Sequence, residues 1–488
     1  MLRLKSMPLK VIYSLLLLIL SLASVIFDLG LWANGVLLLI VYGVAIYSWL
    51  KVTHKPTSLY FMFLMYCFLS NGAQTLLYTM GVSFDKFPNI YERFHGVWIN
   101  RMISFQILAI AFLAIGAMMS YKPDRIEPQR EEVVKKDKTH KTGIVLDIAD
   151  ICYLILLTVM VVLYVSKFFT RTSMNYHDYF YGETSGTGVD TRITLLFYAF
   201  LYTSYYNHVN DGFRKFIYVT TVILAFLMLS VGSRGLTIPL IFGLLFVRAL
   251  TSRGLPRMSW KTVLKWVLLA IALLYVMQAF KTLRGYSISE WNGEVLFEAF
   301  GTGVWDGLVN IFAEMGSSAQ CVIVTITEVD KSHVGQEYTI FYALCKMFVP
   351  IDIANALDIN TSLMLPYESL SYWVTAAGDG MDGTAMWGYS IIAEMYFNFG
   401  KLGFWGMFGF GFIWVRLEAF VKWLISKGHK VAAMAVVYLL SYSIFLARAE
   451  TTLIVTYGRW AFYILLVSVF MVEILHTRIS MSVKPSCR

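Results

Sequence analysis

Charge is what this chain has least of: only 15% of its 488 residues are Asp, Glu, Lys or Arg, where soluble domains average about 25%. With 58% of the residues hydrophobic, that supply of charge cannot cover a globular surface, so a soluble monomer is excluded. Cysteine is scarce too, with 5 in the whole chain. Cys67 and Cys152 sit inside apolar runs, Cys321 and Cys345 share one stretch, and Cys487 lies in the tail. No disulfide framework follows from that spacing, and free thiols are expected. The histidines, among them His54, His177 and His333, stand alone. Without a His or Cys cluster at ligand spacing, neither a metal nor another cofactor is expected.

What the chain does have is uninterrupted apolar runs of roughly 20 residues, the length that crosses a bilayer as a helix. They predict an all-α polytopic integral membrane protein of about 12 transmembrane helices. The spans fall near 10–29, 31–50, 58–80, 97–120, 147–167, 192–209, 216–231, 236–250, 262–280, 401–421, 431–448 and 457–475. Positive charge is retained on the cytoplasmic side of membranes. Placing both termini there puts 25 of the 40 Lys and Arg residues inside, with the densest set at Lys122, Arg125, Arg130, Lys135, Lys136, Lys138 and Lys141. The net charge of +9 therefore reads as contact with anionic lipid headgroups, and nucleic acid is not an expected partner.

The resulting organisation is 1–120 with the first four spans, a cytoplasmic linker at 121–146, five spans over 147–280, a large external loop at 281–400, three spans over 401–475, and a cytoplasmic tail at 476–488. The linker mixes charges without apolar periodicity. The external loop is far longer than a connection needs and is the expected working part. Within it, 305–327 and 338–357 read as amphipathic helices lying on the outer surface or folding over the bundle. The run Gly378 to Thr384, with Asp379 and Asp382, reads as a turn.

Four arginines share the external span ends, where the positive-inside rule disfavours them: Arg234, Arg284, Arg448 and Arg459. Arg234 lies in Gly232-Ser233-Arg234-Gly235, where flanking glycines let backbone and guanidinium both approach an anion. An arginine snorkelling to headgroups is the plainer account. Arg448 has Glu450 two residues away and so has a local ion pair open to it. An external phosphate or diphosphate would explain all four, since guanidinium forks stay ionised and bind such anions bidentately. The stretch from Glu394 to Gly403, with Asn398 and Gly400, leads into the tenth span. A carboxyl there should either pair with an arginine or rise in pKa, although a simple capping role is equally open.

The Gly-Ser-Arg-Gly element at 232–235, the Glu394–Gly403 element with its Asn-Phe-Gly core, and the layout of a dozen spans with one late external loop resemble the Wzy-type polymerases of bacterial surface polysaccharides. The resemblance implies a glycosyltransferase in the bacterial cytoplasmic (inner) membrane whose donor and acceptor are both oligosaccharides on undecaprenyl diphosphate. It implies transfer of the growing chain onto a new repeat unit at the outer face, with neither metal nor nucleotide sugar. Arg234, then Arg284, with Arg448 and Arg459, would stabilise the departing diphosphate. Glu394, Asp379, Asp382, Glu314 and His333 are the candidates for general base. A chain-length regulator protein stays open as a further partner. O-antigen ligase, which shares the donor chemistry, and a polysaccharide flippase or secondary transporter are the alternatives, the latter disfavoured by the long loop and by the lack of an inverted repeat with matched broken helices.

Overall fold

The computed structural model describes most of residues 2–122, 141–172, 189–251, 272–332, 369–379 and 388–452, with scattered positions beyond them. In chain order the helices are α1 (Leu2–Ile26), α2 (Leu31–Thr53), α3 (Leu59–Cys67), α4 (Ala73–Thr79), α5 (Ile90–Arg93), α6 (Gly96–Ser120), α7 (Lys141–Thr172), α8 (Val189–Asn207), α9 (Gly212–Val231) and α10 (Arg234–Thr251). They continue with α11 (Gly293–Gly301), α12 (Val304–Gly316), α13 (Gln320–Ser332), α14 (Leu370–Asp379), α15 (Ile391–Phe399), α16 (Gly403–Ser426) and α17 (Lys430–Ser443). Every stretch read as a span from residue 10 to 250, and both from 401 to 448, is helical, and no strand occurs among the described residues.

By length and composition, 7 helices of the described residues can cross a membrane: Pro8–Ile26, Leu31–Thr53, Gly96–Ser120, Ile148–Thr170, Gly212–Val231, Val304–Lys331 and Lys430–Ala447. The sixth lies inside the stretch read as an external loop. Instead of resting on the surface, α12 and α13 pack against α4, α6 and α15 and bury Val309, Ile311, Ala313, Val322 and Ile323. Asn310, Glu314, Ser317, Ser318 and Gln320 dilute the apolar run, which is why the sequence pattern alone reads as amphipathic.

Helix α6 forms the centre, since Met102, Ile103, Ile107, Ala109, Ile110 and Leu113 are fully buried. Lipid tails are as apolar as leucine, so membrane helices hold together by close packing and polar contacts. Both devices occur here. A Cβ added at Gly116 would lie 2.1 Å from the Phe408 carbonyl oxygen of α16, and one at Gly411 would lie 2.2 Å from that of Leu113. On the opposite flank the Asn34 amide of α2 donates to Asn100 Oδ1 at 2.8 Å and Ser104 Oγ at 2.9 Å, while Ser24 of α1 donates to Asn34 Oδ1 at 2.9 Å. Three helices are thereby fixed in register.

Gly116→Ala must push α6 and α16 apart, and it is expected to destabilise the purified protein by about 1–3 kcal/mol. Gly409→Ala on the same α16, whose added Cβ meets nothing within 4 Å, serves as control. Thermal unfolding in detergent checks the pair: a lower Tm for Gly116→Ala alone is expected, and equal melting would contradict the backbone contact.

Candidate functional site

Three helices are interrupted where they meet. Between α3 and α4 the backbone widens into a π-helical turn at Phe68–Gly72, α12 and α13 are separated by a 3-10 turn at Ser317–Ala319, and α17 ends in another at Ile444–Ala447. The first turn packs against the second, and α3 against the third. Such turns leave backbone groups that an apolar interior cannot solvate. Two side chains of the first break serve them. Asn71 Nδ2 donates to the Ala447 carbonyl at 3.1 Å, and its Oδ1 accepts from Ser390 Oγ at 3.4 Å. Gln74 Nε2 donates to the carbonyls of Ala313 at 2.8 Å and Pro88 at 2.9 Å, while its Oε1 accepts the Ile90 N–H at 3.1 Å. Gly316 must be glycine for this approach, since its Cβ would fall 2.5 Å from the Gln74 nitrogen.

Arg448 follows the third break directly. Its carbonyl accepts the Tyr389 N–H at 3.4 Å, and Gly388, at φ +76°, brings the backbone against it. The guanidinium donates to Met315 Sδ at 3.4 Å, and no carboxylate pairs with it among the described residues. Glu450 is not its partner: it accepts the Leu370 N–H at 2.7 Å at the start of α14, where the helix dipole favours an anion. Met315, Ser318 and Cys321 follow one another at three-residue spacing across the end of α12, the 3-10 turn and the start of α13. Arg448 contacts the first. Ser318 Oγ is buried with no hydrogen-bond partner. Among the described residues the half-buried Arg448 guanidinium is thus met by a thioether and by no carboxylate.

Next to it, α15 carries Glu394 and Asn398 four residues apart, hence on one helix face, both buried. Glu394 Oε2 accepts the Thr451 N–H at 2.8 Å, and Oε1 accepts the hydroxyls of Thr451 at 2.5 Å and Thr339 at 3.1 Å. Asn398 Nδ2 donates to Thr339 Oγ1 at 2.8 Å and to the Glu394 carbonyl at 2.7 Å, and its Oδ1 accepts the Ile340 N–H at 3.3 Å. Glu394 is thus met by hydroxyls and an amide rather than an arginine. On this short helix outside the candidate spans, burial pushes its pKa up to about 7, and the bonds from Thr451 and Thr339 keep it from rising further. Gly400 ends the helix at φ +55°, which lets the chain fold back so that Gly403 meets the Met395 carbonyl. Beyond Glu394, Tyr396 donates to Asp330 Oδ1 at 2.8 Å, and Asp330 pairs with Arg101 of α6 at 3.2 Å.

Of the residues singled out in the sequence, Arg448, Glu394, Asn398 and Gly400 therefore come together, joined through Thr451. Arg234 begins α10 and Gly235 is exposed beside it. Arg459 is partly buried in the described part of the last apolar stretch. Gly232, Ser233, Arg284, His333 and Asp382 lie outside the described residues, as do the side chains of Arg234 and Asp379. Asn71, Gln74, Ser318, Thr339 and Thr451 were not read as site residues. Ser70-Asn71-Gly72-Ala73-Gln74, a polar cluster amid an apolar run, was the available signal. Among the described residues no three His, Cys, Asp or Glu side chains gather to hold a metal.

Packed apolar helices, seven of them long enough to cross a bilayer, define a multi-pass membrane protein. The chain belongs to the O-antigen polysaccharide polymerase Wzy family, whose model matches residues 9–478. Membership carries polymerisation of a surface polysaccharide, a glycosyl-transfer reaction, as its activity. No curated protein and no solved structure matches the chain.

Glu394→Ala removes the acceptor of three hydrogen bonds and is expected to cost about 3 kcal/mol or more, because the Thr451 amide is left unsatisfied. Glu394→Gln keeps an oxygen for that amide and can donate to both hydroxyls, so its Tm should stay near that of the parent. Thermal unfolding of the two purified variants decides it, and equal loss in both would mean that the negative charge itself is required for folding.

Proposed function

We propose that the polymerase transfers the growing glycan from its undecaprenyl-diphosphate carrier to a hydroxyl of a new lipid-linked repeat unit, at the outer face of the bacterial inner membrane. The observation that carries this reading is the half-buried guanidinium of Arg448, which donates to the Met315 thioether and pairs with no carboxylate among the described residues. In the transfer the acceptor oxygen bonds to the anomeric carbon, and the bond from that carbon to the diphosphate oxygen breaks. The acceptor proton passes to a base, and negative charge accumulates on the leaving diphosphate. Donors fixed before the reaction stabilise that charge more than the ground state, because no solvent has to reorganise.

Arg448 takes that role here, with Arg234, Arg284 and Arg459 as the further arginines of the site. His333, Asp379 and Asp382 are the candidates for the base that receives the acceptor proton. Glu394 serves as a positioning residue, since its carboxyl is fully buried and occupied by Thr339 and Thr451. Both substrates and the product stay membrane-bound through their lipid carriers, which suits a site built inside a helix bundle.

The test is the length distribution of surface polysaccharide on a gel, in cells lacking their own copy and complemented with each variant at matched membrane level. Wild type restores a ladder of long chains. Arg448→Ala and Arg234→Ala are expected to slow extension about 10²–10³-fold, leaving mostly single capped repeats. Arg448→Lys should fall between, because an ammonium keeps the charge and loses the fork. A wild-type ladder from Arg448→Ala would remove it from the diphosphate site. Absence even of capped repeats would place the protein at export or ligation.

A further inference from the structure

Helix α11 (Gly293–Gly301) is 9 residues long, too short to cross a bilayer, yet it exposes large apolar side chains: Phe297 at 78%, Phe300 at 43% and Leu296 at 39%. At about 100° of rotation per residue its surface divides into three sectors. Val295 and Ala299 form one, packed with Val276, Ala279, Leu283 and Trp291. Leu296, Phe300 and Phe297 form a second, continuous apolar stripe about 100° wide. Glu294 and Glu298 make up the third, and Tyr286 donates to Glu298 at 3.0 Å.

The helix is held firmly in that attitude. Asn292 Oδ1 caps it by accepting the N–H groups of Glu294 at 3.0 Å and Val295 at 2.9 Å. Trp291 Nε1 donates to the Leu283 carbonyl at 3.2 Å, and the Tyr275 hydroxyl donates to the Phe300 carbonyl. Its apolar stripe therefore cannot roll inward to find cover within its own chain.

We propose that α11 lies in the membrane–water interface, with Leu296, Phe297 and Phe300 immersed among the lipid chains and Glu294 and Glu298 turned to water. Continuity decides for lipid as the occupant. The chain runs from Gly301 into the candidate span Val304–Lys331, which opens on exposed Val304 and Trp305, so the stripe extends the lipid-facing belt of a membrane helix. A helix with protein on one side, apolar residues on the second and acids on the third matches a site where three media meet. Residues 293–301 are then fixed at headgroup depth, the level at which a lipid-linked substrate carries its phosphates. The inference does not depend on the transfer mechanism.

It is tested with an environment-sensitive fluorophore placed at Phe297→Cys or Glu294→Cys, in protein whose other reactive cysteines are replaced by serine. One copy per nanodisc, in phospholipid without polyprenyl carriers, removes a second chain and the substrate as sources of cover. The label at 297 is expected to emit at shorter wavelength and to be quenched several-fold more by nitroxide-bearing lipids than the label at 294. A water-soluble quencher should give the reverse order. Equal lipid quenching at the two positions overturns the proposal, whether the 297 label reports water or a dry protein contact.

Discussion

Everything at the centre of this protein depends on one constraint: a helix that breaks inside an apolar bundle must find hydrogen-bond partners for the backbone it releases. Asn71 and Gln74 supply them. Asn71 reaches from the π-helical turn to the Ala447 carbonyl, and Gln74, in the first turn of α4, reaches the Ala313 carbonyl. The breaks are thus not independent, because shifting one would strand polar groups on its neighbour at about 1–3 kcal/mol each. This locks the third break, and with it the position of Arg448, which has no carboxylate partner among the described residues to fix it.

A partly buried guanidinium without a counter-ion costs stability, and a protein bears that cost where the charge is used. The surroundings of Arg448 support such a use. Glu450, the nearest carboxylate in sequence, is committed to the start of α14, and Glu394 is committed to Thr339 and Thr451. Neither acid forms an ion pair with the arginine. In contrast, the exposed Arg101 is paired with Asp330, which also accepts a hydrogen bond from Tyr396.

Much of the fold was legible because hydrophobic run length reports directly on helices in a bilayer. The stretch 304–331 was the exception. Its polar residues break the run, and their burial against α4 and α6 is a tertiary fact that periodicity does not contain. For the site, the arginines at span ends and the Glu394–Asn398 spacing were visible as departures from an apolar background. What they contact was not. Arg448 and Glu450 suggest an ion pair by proximity in sequence, and only the fold shows the carboxyl turned to Leu370 instead. Thr339 and Thr451 carry no signal alone, since isolated threonines are common in membrane helices and only α15 brings them together.

The clamp on α15 gives the arrangement its functional sense. Electrostatic catalysis works through donors already aimed before charge develops, so the backbone that carries the arginine must not drift. Glu394 grips Thr451, three residues beyond Arg448, through both its amide and its hydroxyl, while Asn398 grips Thr339 and Ile340 from the segment that follows α13. One short helix therefore ties the end of α17 to that segment, and Gly400 lets the chain turn at once into α16, which is packed against α6. The rigidity of α6, the most buried of the candidate spans, is passed to the arginine through this route. A carboxyl serving as clamp needs only to accept hydrogen bonds, and the full burial of Glu394 suits that structural task.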